Sequence, residues 1–188
     1  MIAMPGHKGL LGPHGTGVLV LGRGMLPRPL VVGGTGSQSE SMIQPEQLPD
    51  RYESGTANLP GIAGLLVGAR FALSHREEIE QYEDSLARDL RTRLSALRGV
   101  RVLGHPAAPK VGVVSFVPTA MDPGELCDAL AHEGFALRAG LHCAPSVHQW
   151  LGTLHTGACR ASVGIYNTET DVEALAAAVG RLLGPDRA

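Results

Sequence analysis

Ile79, Tyr82, Leu86, Leu90, Leu94 and Leu97 recur at steps of three and four residues, the strongest periodicity in the chain. With a charged opposite face, they predict a long amphipathic helix. Ser74-His75-Arg76-Glu77 ahead of it reads as a capping box. Residues 59–73 predict a preceding helix of small residues, with Pro60 in its first turn. Its Gly61, Gly64 and Gly68 leave a smooth face for close packing, at a cost in helix propensity. A shorter helix starts at Asp122-Pro123-Gly124-Glu125 and ends near Gly134. Thr168-Glu169-Thr170-Asp171 caps a final helix carrying Val172, Leu175, Val179 and Leu182.

Short apolar runs mark the strands. Residues 17–21 read as a buried strand, 30–32 as a second, and 100–103 as another. Residues 111–117 are the clearest strand, 135–138 are short and extended, and 158–165 form the last strand. Residues 33–49, rich in Gly, Ser, Gln and Pro, predict a long loop, and residues 104–109 a turn. A boundary near residue 74 separates the start of the chain from helices packed on one face of a mainly antiparallel sheet.

The 188 residues are 44% hydrophobic and 18% charged, a globular balance, with a formal net charge of −2. No basic run stands out, which argues against nucleic acid, and the apolar runs are too short for a membrane span. Residues 1–8 lack the features of a signal peptide, so a cytoplasmic location is expected. Cys127, Cys143 and Cys159 then read as reduced thiols, at a spacing that matches no zinc site.

Candidate chemistry gathers at a few positions. Gly6-His7-Lys8-Gly9 opens a glycine- and proline-rich turn. A tight turn could hold the Lys8 amine in a desolvated site, where it loses its proton and forms a Schiff base with an aldehyde cofactor. Thr56 follows Gly55 in a setting suited to an anion, although Ser-Gly-Thr is also plain turn composition. Cys143 sits in a loop-like stretch beside His142, five residues after Arg138. Cationic neighbours of that kind favour a thiolate. Cys127 and Cys159 fall on a helix face and at a strand start, and read as core. The Arg160 guanidinium has the fork geometry that suits a carboxylate.

Five blocks in order carry a resemblance: Gly6-His7-Lys8, Gly33-Gly34-Thr35-Gly36-Ser37, Arg51 to Asn58, Arg138 to Pro145, and Cys159 to Thr168. Together they resemble the cysteine desulfurase group of the class V aminotransferases, and the resemblance covers nearly the whole chain. It implies an α/β protein of the pyridoxal-phosphate-dependent fold type I. Residues 1–74 would be a remnant of the cofactor-binding large domain, and residues 75–188 an α+β C-terminal small domain. The family's lysine block lies near the middle of a chain about twice this long, so the sequence looks like a C-terminal half. The ring-stacking residue and the aspartate facing the ring nitrogen belong to the other half.

By the same resemblance, Lys8 would carry pyridoxal 5′-phosphate, and His7 would reach its phosphate. Thr56 would reach the phosphate held by the other subunit of a homodimer. Arg160, with Arg138 as a weaker candidate, would bind the substrate carboxylate. Cys143 would take sulfur from L-cysteine as a persulfide, for delivery to an acceptor protein. The compact segment from Cys143 to Arg160 fits the branch that uses such an acceptor. Pro5 stands where family members often have a phosphate-binding Ser or Thr. Selenocysteine lyase, another class V aminotransferase, or a fragment with no activity of its own are the alternatives.

Overall fold

The computed structural model describes residues 1–105 and 111–184. The chain divides into two compact units, residues 1–76 and residues 77–188.

In the first unit, β1 (Ile2–Pro5) pairs antiparallel with β2 (Gly17–Val20), Met4 opposite Val18. The sequence pattern marks no strand at residues 2–5. Pro5 ends the strand, where its missing N–H costs little. Helix α1 (Leu59–Ser74) follows the predicted span, with Pro60 in its first turn. The Asn58 side chain caps it by accepting from the Gly61 N–H at 3.1 Å. The glycine face packs as its composition predicts. A Cβ at Gly68 would lie 2.6 Å from the Leu10 carbonyl oxygen and 2.5 Å from that of Leu11, so only glycine fits against this turn.

Two local expectations for this unit need correction. Residues 30–32 form no strand, and Leu30, Val31 and Val32 are exposed. Pro27 and Pro29 just upstream remove backbone donors and set the chain in an irregular path. Side chains take the backbone groups instead: Ser54 Oγ donates to the Val31 carbonyl at 3.0 Å, and the Gly33 N–H donates to Gln44 Oε1 at 3.1 Å. The capping box at residues 74–77 does not form. Ser74 Oγ donates back to the Phe71 carbonyl at 3.1 Å, closing α1 rather than opening the next helix.

The second unit is built around α2 (Arg76–Ser95), whose Leu86, Leu90 and Leu94 are buried. Then come β3 (Val100–Val102), β4 (Val113–Pro118), α3 (Pro123–His132), β5 (Arg138–Gly140), α4 (Pro145–Leu151), β6 (Ala158–Ser162) and α5 (Glu169–Leu183). The four strands form one antiparallel sheet in the order β3-β4-β6-β5. Val114 and Phe116 of β4 and Cys159 and Ala161 of β6 point into one core with α2, α3 and α5, as the period of two requires. The Asp122 cap and the Thr168–Asp171 capping box form as read.

The extended segment placed at residues 135–138 instead starts at Arg138 and runs to Gly140. Helix α4 was not anticipated, although Pro145 at its start and left-handed Gly152 at its end are ordinary helix bounds. It lies against the sheet face that carries Val113, Ser115 and Arg160, so helices are not confined to one face. Residues 106–109 of the expected turn at 104–109 fall outside the described residues. Among the described residues, no helix is long and apolar enough to cross a membrane.

Candidate functional site

The expected site residues fall in both units. In the first, Lys8 lies on the turn that leaves β1. Gly6 N–H donates to the Thr16 carbonyl, Gly12 N–H to the Gly6 carbonyl (both 2.8 Å), and Leu11 N–H to the Lys8 carbonyl at 2.9 Å. Thr16 Oγ1 donates to the Pro13 carbonyl at 2.7 Å. These bonds fix the backbone, yet Lys8 itself is exposed, which corrects the expected desolvated amine. His7 is also exposed, and its ring stacks on His14, centroids 4.5 Å apart, a contact not anticipated for His14.

Thr56 lines a cavity of about 580 Å³ with Gly34, Thr35, Gly36 and Gly55. Gly55 has a φ of 86° and donates its N–H to the Gly34 carbonyl at 2.8 Å. Asp50 and Glu53 line the same cavity and oppose an anion there.

In the second unit, Cys143 occupies the turn between β5 and α4. It is exposed, whereas Cys127 and Cys159 are buried. Its φ is 59°, and that of His142 is 51°. Two consecutive non-glycine residues in the left-handed region carry backbone strain of about 1–2 kcal/mol each.

The His142 Nε2–H donates to the Arg138 carbonyl at 3.1 Å. Burial holds this imidazole below the usual histidine pKa, against the opposing pull of that hydrogen bond, and the charges of Arg160, His148 and Arg138 add to the lowering. His142 therefore favours its neutral form, which corrects its expected role as a cationic neighbour of the thiol. The His142 ring lies 5.9 Å from that of His148. His148 is only 4% exposed and pairs through Nδ1 with Thr153 Oγ1 at 2.8 Å. Sequence reasoning missed this pair, because nothing in the linear pattern marks a histidine that the fold buries.

Arg160 stands opposite Arg138 in the β5–β6 register. Its Nε is buried and has no hydrogen-bond partner among the described residues. Arg160, His142, Val147 and Trp150 line a cavity of about 330 Å³. Arg138, by contrast, is exposed. Cys159 donates to the Pro123 carbonyl at 3.4 Å, and its hydrogen bond with Cys127, together with burial, pushes its thiol pKa up. It is a core group rather than a nucleophile. No cluster of possible metal ligands exists among the described residues.

The aminotransferase class V family matches residues 1–175. A probable cysteine desulfurase from Staphylococcus aureus is 34% identical over 175 residues, which are 90% of this chain and 42% of its own length. One from Xylella fastidiosa is 36% identical over 190 residues, 97% of this chain and 45% of that protein. The solved cysteine desulfurase of Thermococcus onnurineus has a TM-score of 0.83 at 31% identity, covering 96% of this chain and 46% of that one. A cysteine desulfurase from Escherichia coli gives 0.81 at 31% identity, covering 96% and 45%. The chain thus spans less than half the length of these relatives while sharing their mixed α/β fold. With a match that runs from the Lys8 turn through Cys143 and Arg160 into α5, the chain belongs to the aminotransferase class V family.

Proposed function

We propose that this chain carries the sulfur-accepting part of a cysteine desulfurase that uses pyridoxal 5′-phosphate. The observation that supports this most is Cys143, an exposed thiol on a strained turn beside the cavity that holds the unpartnered Arg160 Nε.

The residues fit the cofactor in part. Lys8 offers an exposed primary amine with no ion pair among the described residues, and His7 beside it offers an exposed imidazole. Pro5 supplies no hydroxyl. When bound, pyridoxal phosphate supplies an electron sink that eases bond breaking at the substrate carbon. Lys8 would hold the aldehyde end and then carry the α-proton, while His7, and Thr56 of a second copy, would face the phosphate. Arg160, helped by Arg138, would bind the carboxylate of L-cysteine in a bidentate fork.

Cys143 would attack as a thiolate. A sulfur–sulfur bond forms as the substrate carbon–sulfur bond breaks, and the carbon takes a proton to give L-alanine. The persulfide on Cys143 then passes to an acceptor protein, as a source of sulfur for uses such as iron–sulfur cluster assembly. The exposure of Cys143 suits that hand-over, and the chain would work in the cytoplasm as part of a homodimer. An aminotransferase or selenocysteine lyase of the same class would share Lys8 and Arg160, but a plain transaminase has no use for Cys143.

A second reading has its own support. The chain spans less than half of its relatives' length, and Ile2, Leu19, Val20 and Leu30 of the first unit are exposed. In that reading the chain acts only once a further polypeptide covers this surface.

The test is an absorbance spectrum after adding pyridoxal phosphate and dialysing, beside a Lys8→Ala control, followed by assays for alanine and sulfide. A retained band lost in Lys8→Ala, with turnover lost in Cys143→Ser, is the expected result. No band in either protein would move the function to a reassembled molecule.

A further inference from the structure

The cavity beside Arg160 contains a second guanidinium that the reading above does not use. Arg91 of α2 lines the same space of about 330 Å³. Its Nη2 donates to the Leu103 carbonyl at 2.6 Å, and its Nη1 to the Gly104 carbonyl at 3.4 Å. Its Nε is buried and, like that of Arg160, has no hydrogen-bond partner among the described residues. Neither arginine has an ion pair among the described residues, whereas Arg88, Arg93 and Arg181 each face a carboxylate. Apart from these cations, much of the wall is apolar, including Leu103, Val113, Val147 and Leu151. Two guanidiniums that face no carboxylate among the described residues, set on a largely apolar cavity, are complementary to a molecule with two anionic ends and a hydrocarbon middle.

We propose that this cavity is a binding site for a short-chain dicarboxylate, with one carboxylate on Arg160 and the other on Arg91. The Arg160 end rests on the carboxylate role given to that residue above. The Arg91 end does not, and no cofactor is needed for either. The site would let a dicarboxylate compete with the amino-acid substrate for Arg160, or let a substrate with a second anionic group reach Arg91.

Trp150 also lines the cavity and is the single tryptophan in the chain, so its fluorescence reports on ligand entry. The cofactor-free chain is titrated with glutarate and, separately, with pentanoate, which has the same carbon count and one carboxylate. Glutarate is expected to bind about tenfold more tightly, the worth of one further charge-assisted contact. Arg91→Gln is expected to erase that preference while leaving pentanoate binding in place, and Arg160→Gln to weaken both acids. Equal affinity for the two acids in the parent chain overturns the proposal, even if desulfuration is demonstrated. A preference that survives Arg91→Gln also overturns it. If circular dichroism shows that Arg91→Gln does not fold, Arg91→Lys is titrated across ionic strength instead. A glutarate preference that shrinks with added salt supports the site, and one that ignores salt overturns it.

Discussion

The two units each form a cavity and a candidate-site turn, and they do so in different ways. In residues 77–188, three helices and a sheet close over a continuous core in which Leu90, Phe116 and Leu130 have no exposure at all. The Cys143 turn is then mounted on finished elements, β5 before it and α4 after it. In residues 1–76, Leu65 alone is a buried hydrophobic side chain among the described residues, while Leu26, Leu30, Val67 and Leu73 are exposed. The Lys8 turn owes its shape to backbone hydrogen bonds and to glycines that let α1 approach it. A hydrophobic core can tolerate two strained residues at Cys143, whereas a turn held by close backbone contact depends on the absence of side chains at a few positions.

The sharpest test of this contrast is a core truncation. Leu90→Ala is expected to cost about 2–5 kcal/mol, because it leaves a cavity in a packed interior, whereas Val67→Ser on the exposed face of α1 stays within about 0.5 kcal/mol. Denaturant unfolding followed by circular dichroism measures both, and equal losses would break the comparison. Next in size is Gly68→Ala. The added methyl has no room beside the Leu10 and Leu11 carbonyls, so the turn must move, at a cost of about 1–3 kcal/mol. Faster hydrogen exchange at the Gly12 amide, which is bonded to the Gly6 carbonyl, would report that movement. An unchanged rate would show that the glycine face does not shape the Lys8 turn.

The smallest expected effect concerns Glu83 of α2. Burial raises its carboxyl above the usual pKa of 4.5, against the opposing hydrogen bond from the Gly112 backbone. The folded state therefore holds this proton more readily than the unfolded state. The stability it contributes is fully present below 4.5 and is lost as pH rises through the folded value. Glu83→Gln should remove that loss, so that the variant is slightly the more stable at neutral pH and gains nothing in acid. Thermal unfolding at pH 4 and pH 7 measures it, and a variant less stable at neutral pH would show that the charged form is the favoured one.

Much of the second unit was legible because long-period patterns survive in the linear order. Leu86, Leu90 and Leu94 announce α2, and Thr168 with Asp171 announces α5. Short elements were not. Helix α4 has seven residues and β1 four, too few for a periodicity to emerge. Ser74 could have capped forward or backward, and only the placement of the Phe71 carbonyl decided it. The motif residues Lys8, Thr56, Cys143 and Arg160 could be named from their neighbours in sequence. His148, Thr153 and Arg91 could not, since nothing local sets them apart.

The sequence by itself determined the helix and strand identities with strong periodicity, the family resemblance and the cysteine that differs from the other two. Those depend on spacing and on residue types, which are properties of the linear order. Tertiary structure alone decided that Lys8 is exposed, that His142 favours its neutral form, and that Arg91 and Arg160 share one cavity. Burial and charge compensation depend on which distant segments meet, and a linear order does not contain those distances.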